Sequence, residues 1–159
     1  MPLIALRSIK AAITAKLKTK YPNCKVHFDN VEKPENAPYF YVEFTTSIHQ
    51  TLDETYTDRI IQVDVTYVHP KDAKGRVDRS AVFDVGDALD LMFRPYLQVG
   101  DRYITILSAE TTMVDDVLHY IFDLQFTDAW TDEEVGKIRG ELMQSLEFQL
   151  NRADLTERE

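Results

Sequence analysis

The sequence predicts an α+β domain: a mostly antiparallel sheet built from two hairpins plus a short strand, with helices packed on it and an extra C-terminal helix. Three observations lead there. Residues 39–68 alternate apolar and polar side chains through two arms of roughly ten residues each, where an ordinary strand has about five or six. Residues 103–127 repeat the period-two pattern around Asp115-Asp116. Three other stretches, 3–19, 77–97 and 131–150, switch to helical spacing.

In residues 3–19, Leu6, Ile9, Ile13 and Leu17 share one helical face while Arg7, Lys10 and Lys18 point elsewhere, and Tyr21-Pro22-Asn23 stops the helix. A short strand from Lys25 to Phe28 leads into a polar connection carrying Pro34 and Pro38. In the first hairpin Phe40, Val42, Phe44 and Ile48 are expected on one face, with Tyr39, Tyr41, Glu43, Thr45 and Ser47 on the other. Its second arm sets Ile61, Val63, Val65 and Tyr67 against Ile60, Gln62, Asp64 and Thr66. His69-Pro70 ends that arm, and Lys71 to Gly75 is a charged turn. Val82, Val85, Leu89, Met92 and Phe93 make the apolar face of the next helix, over about Val77 to Leu97, which Pro95 weakens or ends. Gly100-Asp101 then turns into a strand Tyr103–Met113, and Asp115-Asp116 into Val117–Thr127, with Leu118, Tyr120, Phe122, Leu124 and Phe126 inward. Thr131-Asp132-Glu133-Glu134 opens a last helix with acids in its first turn, striped by Val135, Ile138, Leu142, Leu146 and Leu150. The polar tail from Asn151 to Glu159 frays. The chain therefore divides into an α+β domain over residues 1–130 and a C-terminal helical extension over 131–159.

At 159 residues and 44% hydrophobic content, one domain with a proper core is expected. No apolar run approaches the length of a membrane span, and the N-terminal apolar stretch is too short and too soon charged for a signal peptide. The single cysteine, Cys24, excludes an internal disulfide framework and suits a reducing cytoplasm. Net charge is −9 but uneven: residues 1–25 carry Arg7, Lys10, Lys16, Lys18, Lys20 and Lys25 and no acid, while the remaining chain holds all 27 acids. So acidic a body repels phosphate backbones, which argues against general or sequence-specific nucleic-acid binding there. The basic N-terminal segment suits an anionic partner, such as the acidic body of a second copy.

Catalytic signatures are absent from the sequence. The five glycines stand singly, so there is no phosphate-cradling loop, and neither a Gly-x-Ser-x-Gly elbow nor a His-Glu-x-x-His helix occurs. Cys24-x-x-His27 has ligand-like spacing, but a structural zinc needs four ligands and no second pair appears. His27, His49, His69 and His119 fall on or beside separate strands. Asp84, Asp87 and Asp90 lie at i, i+3 and i+6 and pose a choice between a divalent-cation site and a solvated acidic face with Asp90 paired to Arg94; the second is favoured because nothing else converges there.

Ile9-Lys10-Ala11-Ala12-Ile13, Leu17, Tyr21-Pro22, Asp29 to Lys33 and Pro38-Tyr39-Phe40-Tyr41-Val42 together resemble the opening of the phage tail terminator (tail completion) family, found in tailed phages, prophages and phage-tail-like bacteriocins. Tyr67-Val68-His69-Pro70 sits where that family closes its hairpin, and Asp116 to Phe126 resembles its final strand. The resemblance covers about residues 4–128, and the helix at 131–150 is an addition to it. It implies a structural protein, not an enzyme, with no cofactor and no metal, assembled as a homo-oligomeric ring of six on the last ring of tail tube protein. Such a ring stops tube growth, meets the last sheath ring in contractile tails, and offers a surface to the head-side connector. Assembly would take place in the bacterial host cytoplasm and the product would stay in the tail particle, away from membranes. The expected contacts are the hairpin loop, with Leu52, Asp53, Glu54, Tyr56 and Asp58, and a subunit seam with Arg7, Lys10 and Lys18. A head-tail connector or neck protein is the alternative, and beyond it a small carboxylate-dependent nucleic-acid-processing enzyme using Asp84, Asp87 and Asp90.

Overall fold

A computed structural model of the chain describes residues 3–28 and 36–130. Along them run α1 (Leu6–Lys20), β1 (Lys25–His27), β2 (Tyr39–Thr51), β3 (Tyr56–Val68), α2 (Arg79–Phe93), β4 (Tyr96–Val99), β5 (Arg102–Thr105), β6 (Ala109–Val114) and β7 (Val117–Ala129). The predicted class holds. A five-stranded sheet in the order β1-β2-β3-β7-β6 carries both helices on one face, and β4–β5 forms a separate two-stranded hairpin. Only β1–β2 is parallel among the pairs of the large sheet. The expected helix at 131–150, the tail after it and the division at residue 130 fall outside the described residues.

The alternation explains the core. Phe40 and Val42 from β2, Ile61, Val63, Val65 and Tyr67 from β3, and Leu118, Tyr120, Phe122, Leu124 and Phe126 from β7 all turn to the helix-bearing face and are buried. Against them pack Ile9, Ile13 and Leu17 of α1 and Val82, Val85, Leu89 and Phe93 of α2. Phe93 lies over Tyr120 and Phe122, with ring centroids 5.9 and 5.1 Å away. Asp78 caps α2 by accepting from the main-chain N–H of Ser80 (3.1 Å) and Ala81 (3.4 Å). Asp115 and Asp116 both take positive φ, 50° and 64°, in the tight β6–β7 turn that such a pair of conformations closes.

Four expectations are corrected. Leu6 is not part of the buried stripe: α1 starts at Leu6 itself, leaving that side chain 39% exposed, and Ile4 from the extended lead-in fills the core instead. The helix expected through Leu97 ends at Phe93; Leu97 sits at i+4 from Phe93 and so mimics a helical stripe, but it is an inward residue of strand β4. The single strand expected over Tyr103–Met113 is two, β5 and β6, broken at exposed Leu107 and Ser108. The Ile106 N–H goes to the Pro95 carbonyl at 2.8 Å, which holds β5 to β4 rather than to β7. Finally, a bulge between Phe44 and Thr46 inserts Thr45 and reverses the alternation beyond it. Ile48, expected beside Phe40 and Val42, pairs with Ile60 on the opposite, helix-free face and is 42% exposed.

Candidate functional site

The long hairpin ends in a turn that is built rather than loose. β2 runs to Thr51 and β3 resumes at Tyr56, so the tip is only Leu52 to Thr55. The Asp53 carboxylate accepts from the main-chain N–H groups of Thr55 (2.6 Å) and Tyr56 (2.7 Å), and the Leu52 N–H reaches the Tyr56 carbonyl at 3.1 Å. A side chain that folds back on its own backbone in this way fixes a turn. Thr127 donates its hydroxyl to Asp58, joining β7 to β3 below the tip. Two of the five loop residues named from the sequence, Asp53 and Asp58, thus hold the loop's shape. Leu52 and Tyr56 stay 55% and 48% exposed, and Glu54 is exposed beside them. Ile48 and Trp130 add to this apolar end, with the Trp130 N–H bound to the Thr55 carbonyl at 2.8 Å.

Just beneath the tip lies a polar network that the sequence does not announce. Asp128, its side chain fully buried, receives Arg102 in an ion pair and Arg59 at 3.9 Å, and accepts from the Ile4 N–H at 3.0 Å. Arg59 also donates to the Ile4 carbonyl at 2.5 Å, and Arg102 to the Thr127 carbonyl at 2.8 Å. Both guanidinium groups lie over the Phe126 ring, 5.5 and 5.8 Å from its centroid. Arg59 Nε is buried with no partner among the described residues. The network ties the entry to α1, the end of β7 and the β4–β5 hairpin into one block behind the tip. In the sequence Arg59 and Asp128 read only as polar residues of two alternating strands. The signal that could have raised them is their position on the inward side: Arg59 shares parity with Ile61, and Asp128 with Phe126.

The seam residues are not gathered in one place. Lys10 leans over the Phe28 ring, its Nζ 4.8 Å from the centroid. Arg7 and Lys18, three turns apart on the same side of α1, are both exposed. Lys16, unremarked beyond its charge, crosses to α2 and donates to the Met92 carbonyl at 2.8 Å and the Tyr96 carbonyl at 3.3 Å; burial lowers its pKa.

The sheet face away from the helices carries no described element. By register it presents Glu43, Asp58, Asp64, Glu110 and Asp123, with His119 bound to Asp64 at 2.9 Å, against a single basic strand position, Lys25 on the β1 edge beside Tyr39. β1 pairs with β2 only at residues 39–41, so from Glu43 to Thr51 no described strand covers the outer edge of β2. An acidic face with an open strand edge and a basic helix thus occupy different sides of the same small domain.

Chemical readings of the other candidates dissolve into local structure. Asp90 is gripped by Arg94 through two hydrogen bonds of 2.6 Å and accepts from the Tyr120 hydroxyl at 2.9 Å, as the i+4 spacing anticipated. The Arg94 bonds hold the Asp90 carboxyl below its ordinary pKa, while burial raises the Tyr120 phenol. Asp84 and Asp87 are exposed on α2, and among the described residues no group of three or more His, Cys, Asp or Glu is placed to hold a metal ion. The Cys24 thiol is raised by burial, the opposite of an activated nucleophile. No helix among the described residues is long and apolar enough to cross a membrane.

Comparison with known proteins bears on these surfaces. A family model described as phage tail terminator protein matches residues 8–137, most of the chain. No curated protein matches. A solved structure whose title states no function is 21% identical, with a TM-score of 0.43, over 81% of this chain and 98% of its own.

Proposed function

The chain belongs to the phage tail terminator protein family, a family of structural tail proteins, and from that premise we propose that it forms a homo-oligomeric ring, of six copies, on the head-proximal end of the tail tube. The ring stops tube polymerisation, and sheath polymerisation where the tail is contractile, and offers the surface on which the head-side connector docks. The single observation that carries this reading is the pre-shaped hairpin tip. Leu52 and Tyr56 are held half-exposed by a turn that Asp53 fixes, so binding them to a partner orders little that is not already ordered. An exposed apolar pair at a rigid tip suits burial against tube protein or a neighbouring copy. Closed rings need heterologous contacts, one patch meeting a different patch on the next copy. The basic solvent side of α1, with Arg7 and Lys18, and the acidic helix-free sheet face supply such a pair, setting register more than affinity. A connector or neck role would use the same surfaces at another address in the particle.

The test is deletion of residues 51–57 or the double change Leu52→Asp with Tyr56→Asp. The protein should keep its circular dichroism spectrum while particles assembled with it carry tails of uncontrolled length. Tails of normal length would remove the tip from the mechanism, and a strictly monomeric protein that never closes into rings on tube ends would sink the terminator reading.

A further inference from the structure

The fold carries an apolar projection at one end and an apolar concavity at the other. The projection is the hairpin tip. Ile4, the core residue that precedes α1, is bonded to Asp128, and Asp128 pairs with Thr57, so Leu52 to Tyr56 reach past the helix layer. The concavity lies between α1 and α2. Leu91, 83% exposed, lines it with Ala15, Ala88 and Met92, while Lys16 and Lys20 form its α1 side around a volume of about 530 Å³. None of its described lining residues is acidic. The two features cannot meet within one chain. Ala15 and Lys20 lie about 16 and 24 Å along α1 from Ile4. Tyr21, just past the end of α1, packs on Phe40 at the base of the hairpin, with ring centroids 5.3 Å apart. The paired strands from Tyr39 and Val68 to Thr51 and Thr57 hold the tip at the opposite end.

We propose that the hairpin tip of one copy seats in the α1–α2 groove of the next, with Leu52 and Tyr56 against Leu91 and Met92 and with Glu54 facing Lys20. Charge selects this occupant. From Thr51 to Asp58 the tip carries three acids and no base, and the groove is lined by two lysines. Lys16 donates to the Met92 and Tyr96 carbonyls and so stays at the groove wall, while Lys20 is exposed at its rim. Burial of the apolar pair would hold the contact, and the rim charges would set its register. Because projection and concavity lie at opposite ends of the domain, the contact is heterologous and repeats from copy to copy, as a ring requires. The inference rests on the ring reading above and adds to it the surface that receives the tip.

Crosslinking of full-length rings, free or on tube ends, tests it, with Cys24→Ser leaving only introduced thiols to react. A chain carrying both Glu54→Cys and Lys20→Cys should be joined to other copies by a bis-maleimide too short to span the interval within one chain, and the products should climb past the dimer. A mixture of the two singly substituted chains should give dimers only, and neither chain alone should crosslink. Adding Leu91→Asp should cut the yield about tenfold or more. Leu91 is so exposed that its substitution spares the core, and Leu107→Asp, at an equally exposed site outside the groove, should leave the yield unchanged. Negative-stain images separate this contact from the ring itself. Rings that form without the crosslink overturn the contact and leave the ring reading standing, whereas a protein that forms no rings removes both. A ladder that stops at the dimer would mean a reciprocal contact between two copies and would also overturn the proposal, as would a yield indifferent to Leu91→Asp.

Discussion

Replacing Asp128 by alanine is the most severe single change the structure suggests. The carboxylate is the shared counter-ion of Arg59 and Arg102 and the acceptor for the Ile4 N–H, and its side chain has no exposure. Removing it leaves two guanidinium groups facing each other, one of them already short of a partner at Nε. Loss of one partner from a buried ion pair costs about 3–5 kcal/mol. Arg102 is one-fifth exposed and regains some hydration, which argues for the lower end, about 3 kcal/mol. Against a total of about 5–15 kcal/mol for a domain, that is a large fraction. At about 2–4 °C per kcal/mol the thermal midpoint should fall by about 6–12 °C, read by circular dichroism at neutral pH and checked by urea titration. Pairing Asp128→Ala with Arg102→Leu should cost less than the sum of the two single changes by at least about 1 kcal/mol, since the second removes a charge that the first stranded. A loss under about 1 kcal/mol for Asp128→Ala, or strict additivity in the pair, refutes the view that this network holds the entry of α1, β7 and the β4–β5 hairpin together.

Three further outcomes are expected. Gly86 is buried in α2 with helical backbone, and a Cβ there would meet Thr111 Cγ2 at 3.4 Å and Leu118 methyls at 3.6 Å, ordinary contacts. Gly86→Ala should therefore stabilise the fold by about 0.5–1 kcal/mol in urea titration, and destabilisation would mean the α2–β7 seam cannot take a methyl. Arg94 lowers the Asp90 pKa in the folded state, so the stability this carboxylate contributes is complete above its unfolded pKa of about 4 and is lost as pH falls through the lower folded value. The stability gap between the protein and its Asp90→Asn variant should accordingly narrow in acid, and a gap constant from neutral pH to about pH 3 contradicts the assignment. Deleting Thr45 should leave the β2–β3 register intact, because Phe44 and Thr46 already oppose adjacent residues Val63 and Gln62. It should also straighten the open edge of β2 and raise light scattering at equal concentration; unchanged scattering would mean the bulge does not guard that edge.

The pattern of residues made the sheet legible because β3 and β7 each hold an unbroken alternation, and alternation maps directly onto faces. It failed where spacing is ambiguous or interrupted. Phe93 and Leu97 are four apart, which suits a helix, yet Pro95 intervenes and Leu97 belongs to a strand. Phe40 to Ile48 looks like one continuous face, but a single extra residue at Thr45 turns Ile48 over, and no side chain in that stretch marks a bulge. The site was legible in part. Apolar Leu52 and Tyr56 between polar neighbours signalled an exposed tip, whereas the roles of Asp53 and Asp58 depend on main-chain geometry and on a strand 69 residues away. Of the basic residues, Arg7 and Lys18 kept the exposure a seam needs, and Lys10 settled over Phe28 because an aliphatic stem and a charged head suit an aromatic ring at a half-buried position.

A protein that ends a polymer has to grip the last ring without becoming a new link. Heterologous contacts that fail to close produce open filaments, and an uncovered strand edge is the commonest way to start one. The edge of β2 from Glu43 to Thr51 is long enough for that hazard, but it is bent by the Thr45 bulge and mostly polar, with Glu43, Thr45, Thr46, Ser47, His49, Gln50 and Thr51 around Phe44 and Ile48. The acidic sheet face beside it repels its own copies face to face, since both partners would bring Glu43, Asp58, Asp64, Glu110 and Asp123 against one lysine, Lys25 at the far β1 edge. Only contacts that set this face against a basic one are favoured, and α1 carries five bases, Arg7, Lys10, Lys16, Lys18 and Lys20, and no acid. Charge separation between helix and sheet therefore does two things in the proposed ring. It makes side-by-side assembly directional, and it denies the symmetric stacking that would let a terminator continue the tube it is meant to stop.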